Sequence, residues 1–169
     1  MPNIAKNCFI AENATIIGQV TIGDNCSIWY GCVLRGDAGS IKIGKCTNIQ
    51  DGAVIHCSEG KSETDIGDNV TIGHNAIVHG ATIKDNVLIG MGATILDNAI
   101  VNENTIIGAN ALVPGNLELE PNSIYAGVPA KKVKVLPQNY DMIKESALHY
   151  CELKDKYMEH KREWISSAK

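Results

Sequence analysis

Aromatic residues are scarce in this chain of 169 residues, where they make up 5% of the sequence and include one phenylalanine. A thick core built around aromatic rings is therefore not expected. Thin layers filled by Ile, Val and Ala suit this composition better.

The chain also lacks long apolar runs and an excess of basic charge. No run of about 18 apolar residues is present that could span a membrane. A repeat begins at Ile4, which leaves no room for a signal peptide. The net charge of -4 gives no reason to expect nucleic-acid binding. We therefore expect a cytoplasmic protein that binds neither membranes nor nucleic acid.

None of the six cysteines forms a Cys-x-x-Cys pair. Cys8, Cys26 and Cys32 take the same place in the repeat described below, which favours buried thiols in a reducing compartment over disulfides. Cys57, beside His56, is the one candidate for an exposed and reactive thiol.

The sequence is rich in a six-residue aliphatic repeat. An Ile, Leu or Val opens each unit, and a small or β-branched residue follows four places later in nearly every unit. The same spacing assigns the small residue to Ala38 in the unit opened by Leu34 and to Thr82 in the unit opened by Val78. It finds no small residue for the unit opened by Ile55. The opening residues are Ile4, Ile10, Ile16, Ile22, Ile28, Leu34, Ile43, Ile49, Ile55, Ile66, Ile72, Val78, Ile83, Ile89, Ile95, Val101, Ile107 and Val113.

A fixed short period is typical of a solenoid, in which each unit buries its apolar residue against the next coil. An α-helix rotates by about 600° over six residues, so its aliphatic side chains would spread around the axis. A β-sandwich would instead show alternation with a period of two. Gly, Asp and Asn between the aliphatic residues favour tight corners.

The pattern resembles the left-handed parallel β-helix of the hexapeptide-repeat proteins, in which three units make one triangular coil. The resemblance implies an all-β solenoid of about six coils over residues 1–136. After Val113 the repeat fades. Residues 137–169 are predicted to add a C-terminal amphipathic α-helix, from about 138 to 166, that packs on the β-helix or on a neighbouring subunit. Its apolar face comprises Ile143, Ala147, Tyr150, Leu153, Tyr157 and Trp164.

Three departures from the six-residue step predict loops. The step is nine from Leu34 to Ile43, eleven from Ile55 to Ile66 and five from Val78 to Ile83. All three lie beside histidines or beside the Arg35-Gly36-Asp37 triplet. Irregular segments on a rigid scaffold commonly carry function.

Counting units places three histidines relative to one another. His56 and His79 each follow the opening residue of units three apart, so they should stack on adjacent coils about 4.8 Å apart. Arg35 lies one coil below them in the same column. His74 falls on another side of the triangle, in a column with Asp51 and beside Gln50.

Two stacked imidazoles can share a zinc ion, but a third ligand is needed. His74 of the same chain lies on the wrong side, whereas His74 of a neighbouring chain could reach the pair. Such a contact joins two different faces of a triangular prism and closes as a ring of three. The sequence therefore predicts a Zn²⁺ site of His56, His74 and His79 between subunits of a homotrimer.

Three segments resemble the γ-class carbonic anhydrases: residues 33–37 (Val-Leu-Arg-Gly-Asp), 48–56 (Asn-Ile-Gln-Asp-Gly-Ala-Val-Ile-His) and 72–80 (Ile-Gly-His-Asn-Ala-Ile-Val-His-Gly). The resemblance extends through nearly the whole chain. It implies reversible CO₂ hydration, with CO₂ and bicarbonate as substrates. It also implies three metal-binding histidines between the subunits of a trimer, with Zn²⁺, or alternatively Fe²⁺ or Co²⁺.

The same resemblance implies roles for other residues. Arg35 and Asp37 match residues of the subunit contacts, and Gln50 and Asp51 match residues around the metal-bound solvent. Glu59 matches a glutamate that shuttles protons, with Glu63 a looser candidate, and Tyr125 matches a tyrosine near the site. The chain departs from the most active members at Ala38, where they carry an acidic residue, and in its short loop after His56. Slow or absent CO₂ hydration is therefore consistent with the sequence.

The residue types suit this chemistry, since three neutral imidazoles leave zinc its charge and an open position for a water that ionises near neutral pH. Gln50 could orient that solvent, Asp51 could accept a hydrogen bond beside a ligand, and Arg35 could pair with Asp37 across the interface. Two alternatives remain. One is acyl transfer from coenzyme A with a metal-free histidine as the base, and the other is a noncatalytic metal-binding protein.

Overall fold

The computed structural model describes residues 1–137 and 140–165, with side chains up to residue 160. Short parallel strands stack in three columns, which form the three faces of a prism. Strands are numbered in chain order, and each coil contributes one strand to each face. The predicted parallel β-helix followed by an α-helix is confirmed.

Face one comprises β1 (Asn3–Ile4), the second halves of β3 (Thr15–Ile22) and β5 (Val33–Ile43), β8 (Thr64–Ile66), β11 (Thr82–Ile83), β14 (Ile100–Val101) and β17 (Glu118–Leu119). Face two comprises β2 (Phe9–Ile10), β4 (Ser27–Ile28), β6 (Asn48–Ile49), β9 (Thr71–Ile72), β12 (Leu88–Ile89), β15 (Ile106–Ile107) and β18 (Ser123–Ala126). Face three comprises the first halves of β3 and β5, then β7 (Val54–His56), β10 (Ile77–His79), β13 (Thr94–Ile95) and β16 (Leu112–Val113).

The strands β3 and β5 run around the corner between faces three and one without a break. Those two faces therefore form one 11-stranded sheet. The predicted loop after Leu34 is wrong, because residues 35–40 continue β5. Gly18 pairs with Gly36 and Val20 pairs with Ile41, so the extra residues form a bulge in an extended strand.

The opening aliphatic residues point inward and fill the prism as stacked ladders. From Ile28 through Val113 they are almost completely buried, and Ile49, Ile55, Ile72 and Val78 have no exposed surface. Burying one such side chain contributes about 1.5–3 kcal/mol. The parallel pairing keeps like residues in register from coil to coil, as at Ile28, Ile49 and Ile72.

The small inward position is set by the aliphatic residue that follows it, two places later. Ile41 precedes Ile43 and takes the place predicted for Ala38, which is only half-buried. Ala81 likewise replaces Thr82, and Thr64 fills the place that the sequence left open after Ile55. The three irregular units therefore keep the core pattern, and their extra or missing residues fall before the small position.

The corners contain a left-handed residue, as the Gly, Asp and Asn pattern predicted. Among the described residues, ten asparagines have a positive φ angle. Cys46 takes the same conformation at a place where most neighbouring coils have asparagine. Asparagine tolerates this region better than other residues with a β-carbon. The asparagines are Asn7, Asn25, Asn69, Asn75, Asn86, Asn98, Asn104, Asn110, Asn116 and Asn122.

The stack is longer than the six coils predicted. Leu119 and Tyr125 continue the six-residue step after Val113, and both are buried above Val101 and Ile107. They form part of a seventh coil. The strand β19 (Lys131–Val135) then pairs with β18 in the antiparallel direction and ends the sheet of face two.

One helix, α1 (Met142–Ile165), follows the β-helix and packs on face two of the same chain. Ile143 and Ala147 are buried, and Tyr150, Leu153 and Tyr157 pack on the core as predicted. The predicted residues 138, 139 and 166, and the side chain of Trp164, lie outside the described residues. Within the described part of the chain, no helix has the length and apolar character needed to cross a membrane.

Candidate metal centre

Four side chains from successive coils form a ladder at the corner between faces three and one. His56 and His79 are direct register partners on β7 and β10, as the unit count predicted. His56 Nδ1 lies 3.2 Å from His79 Nε2. The outer nitrogens meet carboxylates: His56 Nε2 lies 3.2 Å from Asp37 Oδ1, and His79 Nδ1 lies 3.1 Å from Asp97 Oδ1. The order along the prism is therefore Asp37, His56, His79, Asp97.

The third predicted ligand lies at the corner between faces two and three. His74 follows β9, one coil after Asp51, and His74 Nδ1 lies 3.0 Å from Asp51 Oδ2. Its side chain is 38% exposed, against 16% for His56 and 28% for His79. His74 is therefore held by a carboxylate in the same way as the other two histidines, and it is the most accessible of the three.

The carboxylates decide which nitrogen of each ring carries a proton. A carboxylate only accepts hydrogen bonds, so His56 donates from Nε2 to Asp37 and His79 donates from Nδ1 to Asp97. In the neutral rings, His56 Nδ1 and His79 Nε2 then face each other with lone pairs. Two lone pairs at 3.2 Å repel unless a proton or a metal ion lies between or beside them. The ladder therefore has donor atoms suited to either one.

The spacing of these nitrogens fits a tetrahedral metal. Two ligands about 2.0–2.1 Å from one tetrahedral ion lie about 3.3 Å apart, close to the 3.2 Å observed. Imidazoles that bind metal commonly donate their other N–H to a carboxylate. Within the described residues, one chain holds no group of three or more His, Cys, Asp and Glu suited to a metal.

Arg35 and Asp37 pair within one chain. Arg35 Nη1 donates to both carboxylate oxygens of Asp37, at 2.9 and 2.7 Å. These hydrogen bonds hold the pKa of the exposed Asp37 carboxyl below its ordinary value, with a smaller contribution from His56. Asp37 thus stays an acceptor for His56. A role of this pair in a subunit contact remains a prediction.

Gln50 is buried beneath α1 beside the His74 corner. Its Nε2 donates to Asn48 Oδ1 at 3.1 Å, and Asn48 Nδ2 donates in turn to Thr71 Oγ1 at 2.9 Å. This chain of amides fixes the side chain of Gln50 next to Asp51. The structure therefore brings Gln50, Asp51 and His74 to one corner, as predicted.

The segment between His56 and Thr64 forms a compact turn. Ser58 O accepts hydrogen bonds from the N–H groups of Lys61 and Ser62, both at 3.1 Å. An open cavity of about 410 Å³ lies beside it, lined by Ala38, Gly39, Lys61, Ser62, Glu63 and Asn98. Glu59 is exposed and is not among the residues that line this cavity. Of the two glutamates considered as proton carriers, Glu63 is therefore the one that lines it.

Tyr125 is not brought together with the histidines of its own chain. It lies on face two in the seventh coil, three coils beyond Ile72, and is only 7% exposed. Its hydroxyl accepts a hydrogen bond from the backbone N–H of Glu120 at 3.0 Å. These contacts fix the side chain of Tyr125 at the end of the core, and its catalytic role stays a prediction.

Cys57 is buried, contrary to the expectation of an exposed thiol. Burial raises the pKa of its thiol, and the nearby Asp97 adds to this effect. The thiol fills space next to Gly39, where a β-carbon would clash with the sulfur. Cys57 is therefore a packing residue and a poor nucleophile.

Asp97 is the one member of the ladder that is absent from the predicted residues. It lies 18 residues after His79, but the five-residue step after Val78 makes this coil 17 residues long. Extending the column by one coil therefore reaches Leu96, which follows Ile95 as His79 follows Val78. Asp97 is the next residue along the chain, so the column alone does not find it.

The chain is similar to proteins of known family. A family model described as bacterial transferase hexapeptide (six repeats) matches residues 1–36, 63–95 and 80–115. The chain is 52% identical over 153 residues to a "Probable carbonic anhydrase" of Methanocaldococcus jannaschii, which covers 90% of this chain and 96% of that protein. It is 43% identical over 158 residues to "Gamma carbonic anhydrase 1, mitochondrial" of Arabidopsis thaliana, covering 90% of this chain and 58% of that protein.

A solved structure with a different name is also similar. The crystal structure of a putative acetyltransferase from Bacillus cereus has a TM-score of 0.89 and 38% sequence identity, over 92% of this chain and 91% of that chain. Both carbonic anhydrase and acyltransferase names therefore occur among the proteins that share this fold.

Proposed function

This chain belongs to the γ-class carbonic anhydrases, a family of hexapeptide-repeat proteins, and we propose that it hydrates CO₂ reversibly at a metal site shared between subunits of a homotrimer. The metal ligands are His56 and His79 of one chain and His74 of its neighbour. The metal is Zn²⁺, with Fe²⁺ or Co²⁺ as the alternatives. The reaction runs in the cytoplasm, with CO₂ and bicarbonate as substrates.

The observation that carries this proposal is the converging pair of nitrogens in the ladder. His56 Nδ1 and His79 Nε2 lie 3.2 Å apart, and Asp37 and Asp97 hold the opposite nitrogens. Asp51 orients His74 in the same manner. Three imidazoles, each paired with a carboxylate, are a donor set typical of a divalent metal with an open position.

Each residue has a task in the reaction that follows from its position. A divalent metal held there would act as a Lewis acid and lower the pKa of a bound water molecule toward neutrality. Asp37, Asp51 and Asp97 keep the imidazoles in the tautomers that bind the metal. Gln50, fixed by Asn48, would orient a small substrate by hydrogen bonding without adding charge. Arg35, together with Asp37, would contribute to the contact between subunits.

The trimer is supported by the character of face three, which lies between the two half-sites. Its outward residues include Ile17, Ile77 and Leu96, which are 45%, 38% and 37% exposed. Face two is covered by α1, and face one carries the exposed polar residues Lys42, Asp65 and Glu118. Face three is apolar, and no described element of the chain covers it. Such a surface suits a contact with another copy of the chain. A ring of three such contacts would bring each His74 corner to the ladder of the next chain.

A proton must leave the site in each turnover, and the turn after His56 supplies the carriers. Glu59 matches the spacing of the shuttle glutamate in the family, whereas Glu63 lines the cavity beside the turn. We keep Glu59 as the proposed carrier and Glu63 as its alternative. A carboxylate in this place would exchange protons with bulk buffer.

Metal analysis is the first test. Protein purified without added metal should contain close to one divalent ion per chain, and an empty site would count against the proposal. CO₂ hydration measured with zinc, and with iron in the absence of oxygen, then separates an enzyme from a noncatalytic metal-binding protein. In both cases the metal is present, so only the rate distinguishes them.

Co-expression of two variants tests whether the site is shared between chains. Neither His56→Ala nor His74→Ala trimers retain a complete site. In random mixtures about a quarter of the interfaces combine an intact His56/His79 pair with an intact His74. About a quarter of the wild-type metal should therefore return.

A mixture of His56→Ala and His79→Ala chains is the matched control. Both changes damage the same half-site, so no mixed interface is complete and no metal should return. Equal metal content in the two mixtures would show that the site is not divided in the proposed way.

Acyl transfer from coenzyme A is the second candidate, and it is supported by the similar acetyltransferase structure. It needs a histidine with a free nitrogen as general base. In the ladder, every ring nitrogen of His56 and His79 faces either a carboxylate or the other ring. Acetyl transfer from acetyl-coenzyme A to an amine by the metal-free protein, lost on replacement of one of the three histidines, would favour this candidate.

A further inference from the structure

The network around Asp97 points to a residue that positions a metal ligand. Three side chains meet its carboxylate: His79 Nδ1 lies 3.1 Å from Oδ1, Ser58 Oγ donates to Oδ2 at 3.2 Å, and Ser62 Oγ donates to Oδ1. Ser62 Oγ also accepts a hydrogen bond from the backbone N–H of Ser58 at 3.0 Å. Both serines belong to the turn that follows His56.

The carboxylate of Asp97 is held as an acceptor. Its side chain is about one-third exposed, at 34%. Ser58 and Ser62 direct their hydroxyl groups at the two oxygens of this carboxylate, so both oxygens accept hydrogen bonds. Since an ionised carboxylate has no proton to give, His79 must donate from Nδ1. The lone pair of His79 Nε2 is then directed at His56.

The local backbone leaves room for this arrangement. Gly80 follows His79 with a φ angle of +62°, and a β-carbon there would overlap both Asp97 Oδ1 and Ser62 Oγ. The N–H of Gly80 donates to His56 O at 2.8 Å and to Thr64 Oγ1 at 3.1 Å. The two histidine strands, the serine turn and Asp97 are thus joined across three coils.

From these contacts we propose that Asp97, supported by Ser58 and Ser62, is the positioning residue for His79, and that it couples the turn after His56 to metal affinity. This inference rests on the proposed metal site. Asp97 does not touch the metal or the substrate. It acts by fixing the tautomer and the direction of His79, and the two serines act through the same carboxylate.

Asp97→Asn is the direct test, because the change keeps the size of the side chain and removes its charge. The zinc dissociation constant, measured by competition with a chelator, should rise by about 10–100-fold. Ser62→Ala should raise it by a smaller factor. Ser62→Ala added to Asp97→Asn should change it little, since both residues act through one carboxylate. Asp85→Asn is the matched control, because Asp85 caps the backbone N–H of Asp68 in a distant corner and should leave zinc affinity unchanged.

A second measurement needs no metal. In metal-free protein with ¹⁵N-labelled histidine, His79 Nδ1 should carry a proton in the wild type, and this tautomer should lose its dominance in Asp97→Ala. A purely structural role would lower the thermal stability of the metal-free variants and leave both zinc affinity and the tautomer unchanged.

The outcomes separate the two proposals. A wild type that binds zinc, with Asp97→Asn binding it equally tightly, overturns this inference and leaves the proposed function standing. A wild type without zinc binding overturns both. If Asp97→Asn does not fold, Ser58→Ala and Ser62→Ala decide the matter, since unchanged zinc affinity in both also overturns the coupling.

Discussion

Single residues inside this prism are constrained by the carbonyl groups of the next coil, and Cys32 is an example. Its thiol donates to Gln50 O at 3.0 Å and has no exposed surface. Burial raises the pKa of Cys32 from 9.0 to about 11. Thr47 fills the small inward position of another unit, one coil after Cys26, and donates to Gly67 O at 2.8 Å. A hydroxyl therefore suits this position as well as a thiol.

The raised pKa of Cys32 predicts a loss of stability in alkaline solution. The folded chain holds the thiol proton more tightly than the unfolded chain, so this stabilisation is complete below pH 9 and is lost as the pH rises toward 11. Cys32→Ser keeps a donor and removes the titration. Between pH 8 and 11 the free energy of unfolding of the wild type should fall by about 1–3 kcal/mol more than that of the variant.

Urea unfolding at each pH measures this difference. Thr105→Ser, a change at the small inward position of another unit, should keep the pH dependence of the wild type. Identical pH dependence in wild type and Cys32→Ser would mean that the thiol ionises equally easily in both states.

At the level of single residues, the sequence predicts the positions that depend only on the register of the strands. His56, His79, His74 and Asp51 follow from counting units, and each lies where the count puts it. The hydrogen bond of Tyr125 could not be found this way, because a similar motif does not reveal that its hydroxyl accepts from the backbone N–H of Glu120. The burial of Cys57 depends on its contact with Gly39 across the bulge of β5, which no local pattern encodes.

At the level of elements, α1 is attached through the few aromatic residues of the chain. The ring of Trp29 lies 4.9 Å from Phe9, 5.6 Å from Tyr150 and 4.9 Å from Tyr157, measured between centroids. Trp29 Nε1 donates to Ser27 Oγ at 2.9 Å, so its polar atom is satisfied within face two. The scarcity of aromatic residues elsewhere makes this cluster the main attachment of the helix to the first coils.

Tyr157→Ala should therefore loosen the helix. We expect the free energy of unfolding to fall by about 2–3 kcal/mol, below the range for fully buried rings because Tyr157 is half-buried. Met158→Ala, a change of the next residue, whose side chain is half-exposed, should cost about 0.5 kcal/mol or less. Urea unfolding followed by circular dichroism at one fixed protein concentration makes the comparison, and equal losses would contradict the docking described.

The elements themselves were predictable to different degrees. The helical face from Ile143 to Tyr157 follows from its apolar spacing. Lys154, however, is 2% exposed and pairs with the exposed Asp155, and a rule that places all charged residues on the surface misses this burial. The extended course of residues 35–40 was missed because Gly and Ser favour loops, whereas pairing with β3 overrides that preference.

At the scale of the whole molecule, the three faces differ in what covers them. Face two carries α1, face one is polar, and face three presents Ile17, Ile77 and Leu96 to solvent in the single chain. Both predicted half-sites border face three. The proposed assembly would therefore cover the apolar face and complete the metal site in the same contact.

Ile77→Glu should prevent this assembly, because it places a charge in the centre of an apolar contact. Sedimentation equilibrium should show a trimer for the wild type and a monomer for the variant, and bound metal should fall with the trimer. Thr21→Glu adds the same charge to face one and should leave the trimer intact. A trimeric Ile77→Glu protein would exclude face three as the interface.

The rule for the small inward position has a consequence for how the chain tolerates changes in length. Ile41, Thr64 and Ala81 each stand two places before the next inward residue, although the segments before them have different lengths. Each coil therefore resets its own alignment, and an insertion at a corner is cancelled before the next strand begins. Corners can lengthen or shorten one at a time, which allows the surroundings of the histidines to be remodelled while the scaffold stays unchanged.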